Sequence, residues 1–110
     1  REPGGTLLSE KIRPILLKFE MTPWAEVFFY QALRAEHVEQ VIRPALKDGA
    51  VVLCDRFSDS TLAYQGDARG LPRKTLIPLI RLATGGLRPD LVCLLDVPPK
   101  LGLQRAKDPN

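Results

Sequence analysis

Asp55 and Arg56 stand directly after the apolar run AVVLC and head the stretch DRFSDSTLAYQG, Asp55 to Gly66. Open parallel sheets bind their ligands beyond the carboxyl ends of the strands, and this pair occupies that place by sequence order. An arginine there grips phosphate oxygens with two donors. The aspartate before it holds the arginine or helps order a metal-bound water. Ser58, Asp59, Ser60 and Thr61 add hydroxyls and an N-cap for a following helix, whose positive end favours an anion. Taken alone, a plain surface ion pair explains Asp55 and Arg56 equally well.

Tyr30 and Arg34 lie four apart and therefore share one face of a helix. A ring and a guanidinium so placed can stack on a base and bond its edge. The plainer alternative packs Tyr30 in the core and leaves Arg34 solvated. The opening REPGGT carries Arg1, Glu2 and a glycine pair whose backbone can approach a phosphate, although such segments are also ordinary turns. His37, the single histidine, falls in a charged part of the helix and is expected in solvent, with no role. Asp96 reads as structural, ordering a turn. Cys54 and Cys93, each inside an apolar run, are expected as buried, reduced thiols of a cytosolic protein, since no C-x-x-C or histidine partner accompanies them.

The elements that must carry these residues alternate between helix and strand. LLSEKIRPILLKF has helical spacing, with Pro14 expected to bend or break it. Thr22 and Pro23 open a long helix reaching about Lys47, with Glu26 near its positive end, a kink at Pro44 and Gly49 as its stop. AVVLC and LVCLLDV read as strands buried on both faces, joined by a right-handed crossover with helices near 60–67 and 72–84. PPKLGLQRAKD starts a further helix. The predicted fold class is α/β with a parallel sheet.

Composition bounds this reading. The 110 residues suffice for one domain with a modest core, and 45% hydrophobic with 26% charged residues is ordinary for a globular protein. A net charge of +3 suits a small anionic substrate and is too weak to argue for a nucleic-acid surface. No apolar run is long enough to cross a bilayer, and no signal-peptide pattern is present, so the expected location is cytoplasmic. The start on REPGG and the stop on KDPN suggest that both ends are cut from something larger.

With these residues laid out, the sequence closely resembles bacterial thymidylate kinase. The matching stretches are REPGGT with EKIR, AEVFFYQALRAEHVEQVIRPAL, DRFSDSTLAYQG, RGL and GGLRPDLVCLLDVPPKLGLQRA. They cover most of the chain in the family's order. The resemblance implies transfer of a phosphoryl group from ATP, with magnesium, to thymidine monophosphate, on a three-layer P-loop kinase fold. It further implies a homodimer packed through helices that include the long one, where Phe28 and Phe29 stand adjacent. Residue by residue, it implies that Tyr30 stacks on thymine, where the family normally has phenylalanine, and that Arg34 bonds the thymine edge. Arg56 would contact phosphate with Asp55 near the magnesium region. Ser60 and Thr61 would line the pocket, Tyr64 would crowd the sugar 2′ position, and Gln65 would reach base or sugar. Arg1 and Glu2 correspond to loop residues near the acceptor phosphate.

The sequence departs from the family in holding no G-x-x-x-x-G-K-[ST]. The P-loop unit is expected upstream of Arg1 and the lid beyond Asn110, making residues 1–110 a partial domain bearing the acceptor-nucleotide half. Because phosphoryl transfer depends on positioning and charge stabilisation, such a segment alone is expected to be inert, with apolar surface exposed on its strand runs. Two alternatives stand beside this: a related deoxynucleotide or deoxynucleoside kinase, and a non-catalytic nucleotide-binding homologue without a P-loop.

Overall fold

The computed structural model describes residues 1–107; Asp108, at the end of the predicted PPKLGLQRAKD helix, lies outside the described residues. The chain forms α1 (Leu7–Lys18), α2 (Pro23–His37), α3 (Arg43–Lys47), α4 (Ser58–Thr61), α5 (Arg73–Thr84) and α6 (Pro99–Lys107). Wider π-helical turns follow α2 at Val38–Ile42 and α4 at Leu62–Ala68.

Local chemistry accounts for most of these boundaries. Thr6 caps α1, its hydroxyl accepting from the Ser9 amide at 3.1 Å. Pro14 does not break that helix as expected. It faces solvent, where the carbonyl it cannot serve is free to bond water. Thr22 and Pro23 do start α2, although the Thr22 side chain makes no capping bond. The long helix runs on to Lys47, but its irregularity precedes Pro44. The Arg43 amide bonds the Val38 carbonyl, an i→i+5 pattern that leaves Pro44 in the first turn of α3, where its missing N–H is not needed. Helix α5 ends on Gly85 in the left-handed region (φ 55°), with the Gly86 amide returning to the Arg81 carbonyl.

Packing is carried by helix faces. Val27 of α2 meets Leu76 and Ile80 of α5 in a buried cluster, edged by Leu62, Leu71 and Leu79. Each such side chain contributes about 1.5–3 kcal/mol over leaving it in water. This contact holds α2 and α5 together and lays the π-turn at 62–68 against both.

The predicted parallel sheet is not formed: among the described residues there is no strand. AVVLC and LVCLLDV enter no backbone ladder, and they are largely exposed rather than buried on both faces, Leu53 at 92% and Leu95 at 91%. A strand needs a neighbour for its N–H and C=O groups, and none of the described elements supplies one. The cysteines share this fate. Cys54 is half-buried and Cys93 exposed, against the expectation that both are core thiols.

Candidate functional site

One side of α2 faces a cavity of about 330 Å³, closed by the opening loop, α1, α4 and the π-turn after it. Its volume falls at the lower end of the range for small-ligand pockets. Tyr30, Arg34, Arg56, Ser60, Thr61, Tyr64, Gln65 and Glu2 all line it. Of the residues to which the resemblance gives a site role, Arg1 and Asp55 do not. Arg1 is exposed, 3.8 Å from Glu10, and Asp55 contributes its backbone carbonyl, which accepts from the Glu2 amide at 3.1 Å.

Arg34 organises the floor. It is 3% exposed, not solvated. Its Nε donates to Glu2 Oε2 at 2.7 Å, Nη1 to Gln31 Oε1 at 3.2 Å and Thr61 Oγ1 at 2.9 Å, and Nη2 to the Phe57 carbonyl at 3.1 Å. A guanidinium has five N–H groups, so these four bonds leave one Nη2 donor uncommitted. The guanidinium also lies 5.4 Å from the Phe57 ring centroid. Removing it would strand Glu2 as a buried charge.

His37 corrects a second expectation. It is 6% exposed, and its Nδ1 lies 3.1 Å from Glu2 Oε1, so Glu2 is held from both sides. The sequence hides this because the charged neighbours Glu36 and Glu39 mask a helix face that turns inward under the REPGGT loop. Gly5 makes that turn possible. Its φ is 87°, and a Cβ there would fall 2.7 Å from the His37 ring.

Arg56 sits in the left-handed region at φ 66°, uncommon for a residue with a side chain. Backbone strain of this kind gathers at functional sites. The Cys54 thiol donates to the Arg56 carbonyl at 3.2 Å, and Arg56 Nη1 donates to the Tyr64 hydroxyl at 3.0 Å. That hydrogen bond, reinforced by the phenol's charge, raises the Arg56 pKa still further, so the guanidinium is a fixed cation. Burial, then Glu26, raises the Tyr30 phenol, keeping it neutral. Burial, then Glu2, raises the Cys54 thiol.

The wider turn at Leu62–Ala68 sets the opposite wall. The Arg69 amide reaches back to the Tyr64 carbonyl and the Leu71 amide to the Gln65 carbonyl, so Gln65 is buried at 4% exposure while Tyr64 stays at the rim. Such turns recur at functional sites.

Sequence reasoning missed three residues of the wall and its support. Arg13 lines the cavity and donates to the Pro3 carbonyl; only its place in EKIR hinted at it. Glu26, expected from the sequence only as a helix-end charge, lines the cavity between Gln65 and Arg69. Gln31 is buried, its amide donating to Thr61 Oγ1 at 3.2 Å.

Metal chemistry finds little room here. Glu2, His37 and Cys54 bring ligand atoms within 4.8 Å of one another. Glu2 is already spent on Arg34 and His37, the neighbouring guanidinium repels a cation, and the raised thiol resists becoming the thiolate a metal needs. Asp96 is exposed on an unpaired run. The Glu2–His37–Cys54 cluster therefore does not fit a magnesium ion, and the cavity lining fits one anionic, planar ligand. Three guanidiniums, two phenol rings and one buried amide face the same space.

The comparisons agree with that chemistry. The thymidylate kinase family model matches residues 1–110. A thymidylate kinase of a Synechococcus strain is 56% identical over 108 residues, covering 97% of this chain and 52% of that protein. One of Desulfovibrio desulfuricans is 54% identical over 113 residues, covering all of this chain and 52% of that protein. The crystal structure of thymidylate kinase from Ehrlichia chaffeensis superposes with a TM-score of 0.74 at 43% identity, covering 76% of this chain and 45% of that one. The chain spans about half the length of the curated relatives it matches. No helix among the described residues is long and apolar enough to cross a membrane. With a family match over every residue and relatives above one-half identity, the chain belongs to the thymidylate kinase family.

Proposed function

We propose that the protein carrying this segment phosphorylates thymidine monophosphate at the expense of ATP, and that these residues hold the acceptor nucleotide. The observation that carries the reading is the convergence of Tyr30 and Arg34 of α2 with the distant Arg56 on one cavity.

Within it, the Tyr30 ring offers a face to the base and stays neutral. Arg34, locked by Glu2, Gln31, Thr61 and the Phe57 carbonyl, points its one remaining Nη2 donor at a carbonyl of the base edge. Tyr64 stands against the sugar, held by Arg56. Arg13 and Arg56 supply the positive charge for the acceptor phosphate, and Ser60 adds a hydroxyl nearby. These groups are positioned before the ligand arrives, which is what phosphoryl transfer asks of its acceptor side. When bound, magnesium and ATP supply the phosphoryl group and neutralise its charge. Glu2 and Glu26 are each committed to an arginine, and the sequence holds no P-loop motif, so no step is assigned to that donor here.

The parallel sheet belongs to the same reading. Val51–Cys54 and Leu91–Val97 are largely apolar, largely exposed and unladdered, as strands are when their sheet partner lies elsewhere in a protein twice as long. Segment 1–110 alone is then inert as a kinase. Trp24, Phe28 and Phe29 also remain exposed on α2, which supports the pairing of two copies through that helix.

The test is a coupled assay on a chain extended to its relatives' length. ADP formation should depend on thymidine monophosphate, and the 110-residue chain should give none. ADP formation that ignores thymidine monophosphate while following another deoxynucleotide would move the reading to a different base.

A further inference from the structure

Gln65 is 4% exposed, and its Nε2 donates to Glu26 Oε1 at 2.8 Å. A carboxylate accepts hydrogen bonds and does not donate them, so the amide nitrogen must be the atom facing Glu26. That fixes the carbonyl Oε1 of Gln65 on the other side. No described residue donates to this oxygen, and it is not among the sealed orphan atoms, which are Glu26 Oε2 and Arg43 Nε. Gln65 lines the cavity, so this unpaired and unsealed acceptor is the group its amide keeps for a ligand there.

Glu26 is itself immobilised. Arg69 Nη2 stands 2.7 Å from Glu26 Oε2. The same oxygen lacks a hydrogen-bond partner, so the guanidinium approaches off its N–H direction, as an ion pair. Arg69 closes the π-turn that carries Gln65, through its own amide to the Tyr64 carbonyl. One carboxylate therefore ties the orientation of the Gln65 amide to the turn that presents it.

We infer that Glu26 is a positioning residue for base selection: by fixing the Gln65 amide it presents an acceptor beside the free donor of Arg34, a pattern matching an imide edge (carbonyl next to N–H) and opposing an amidine edge such as cytosine's. This rests on the acceptor-nucleotide reading above. On an imide, Arg34 Nη2 meets the carbonyl and Gln65 Oε1 meets the ring N–H. On cytosine, both positions carry the wrong group, a donor facing Arg34 and an acceptor facing Gln65. Two acceptors facing each other in a buried site are left unsatisfied, which is the strong form of discrimination.

The experiment compares kcat/KM for thymidine monophosphate and deoxycytidine monophosphate in the full-length protein and in Glu26→Gln. Glutamine at 26 both donates and accepts, so the Gln65 amide is free to turn. The preference for thymidine monophosphate is expected to fall by tenfold or more, with thermal stability checked alongside. Should Glu26→Gln fail to fold, Glu26→Asp withdraws the carboxylate by one methylene with its charge kept, and the same ratio must fall. A folded variant with an unchanged ratio overturns the inference while leaving the site reading intact. A wild-type protein that does not use thymidine monophosphate overturns both. A purely structural role for Glu26 would lower both substrates together, and that result also overturns the inference.

Discussion

The cavity wall and the two apolar runs solve opposite problems. Around Arg34 the chain buries charge and amide groups and pairs nearly all of them, using side chains from the opening loop, α2 and α4. Along Val51–Cys54 and Leu91–Val97 it leaves leucines and valines in water with their backbone groups unladdered. A polar network built on helix faces completes itself through local contacts. A strand cannot, because its pairing needs another strand beside it. The site is thus prearranged by helices, whereas the two apolar runs find no backbone ladder among the described residues.

The sharpest way to break this comparison is at the buried ion pair. Arg34→Met leaves Glu2 charged, buried and facing only His37, and should cost about 3–5 kcal/mol of stability. Denaturant unfolding of the full-length protein measures it, and nucleotide binding should vanish with it. A loss within 0.5 kcal/mol would mean that the network is not what holds the floor.

The second contrast lies in the apolar runs. If the proposed sheet covers Leu94 in a chain of the relatives' full length, Leu94→Ala should cost about 2–5 kcal/mol there. In the 110-residue chain, where Leu94 is 85% exposed, the same change should fall within about 0.5 kcal/mol. Equal costs in both would remove the distinction between the two regions.

Gly5→Ala sharpens the polar side. It places a Cβ at positive φ and 2.7 Å from the His37 ring, so a stability loss of about 1–3 kcal/mol is expected. Gly70→Ala, also at positive φ but with nothing within 4 Å, should cost less.

The smallest effect concerns Cys54, which sits where the two regions meet. Its thiol pKa is raised by burial and by Glu2. A raised folded pKa keeps the thiol protonated after the unfolded chain has begun to ionise. Stability from this group is therefore complete below the unfolded value of about 8.5 and declines as pH rises above it. Alkylation of Cys54 should accelerate only above the pH at which a free thiol reacts, read by mass spectrometry after pulsed labelling.

Much of the site could be read in the sequence. The i,i+4 spacing of Tyr30 and Arg34 and the order of DRFSDSTLAYQG place seven of the predicted residues on one cavity, because helix periodicity is a local property. Glu26, His37 and Arg13 were hidden because their importance comes from what folds over them, and no spacing encodes that. The helices were legible from caps and prolines, with two exceptions. Pro14 is tolerated by exposure, and Pro44 is accommodated by a preceding wide turn. AVVLC and LVCLLDV carry the composition of strands, yet composition states only what a segment needs and not whether a partner is there.

The most direct test of the account is the structure of the full-length protein with thymidine monophosphate bound. The account predicts the thymine ring against Tyr30, one of its carbonyls within hydrogen-bond distance of Arg34 Nη2, and the phosphate between Arg13 and Arg56. A nucleotide bound elsewhere, or Tyr30, Arg34 and Arg56 turned toward separate spaces, would contradict it.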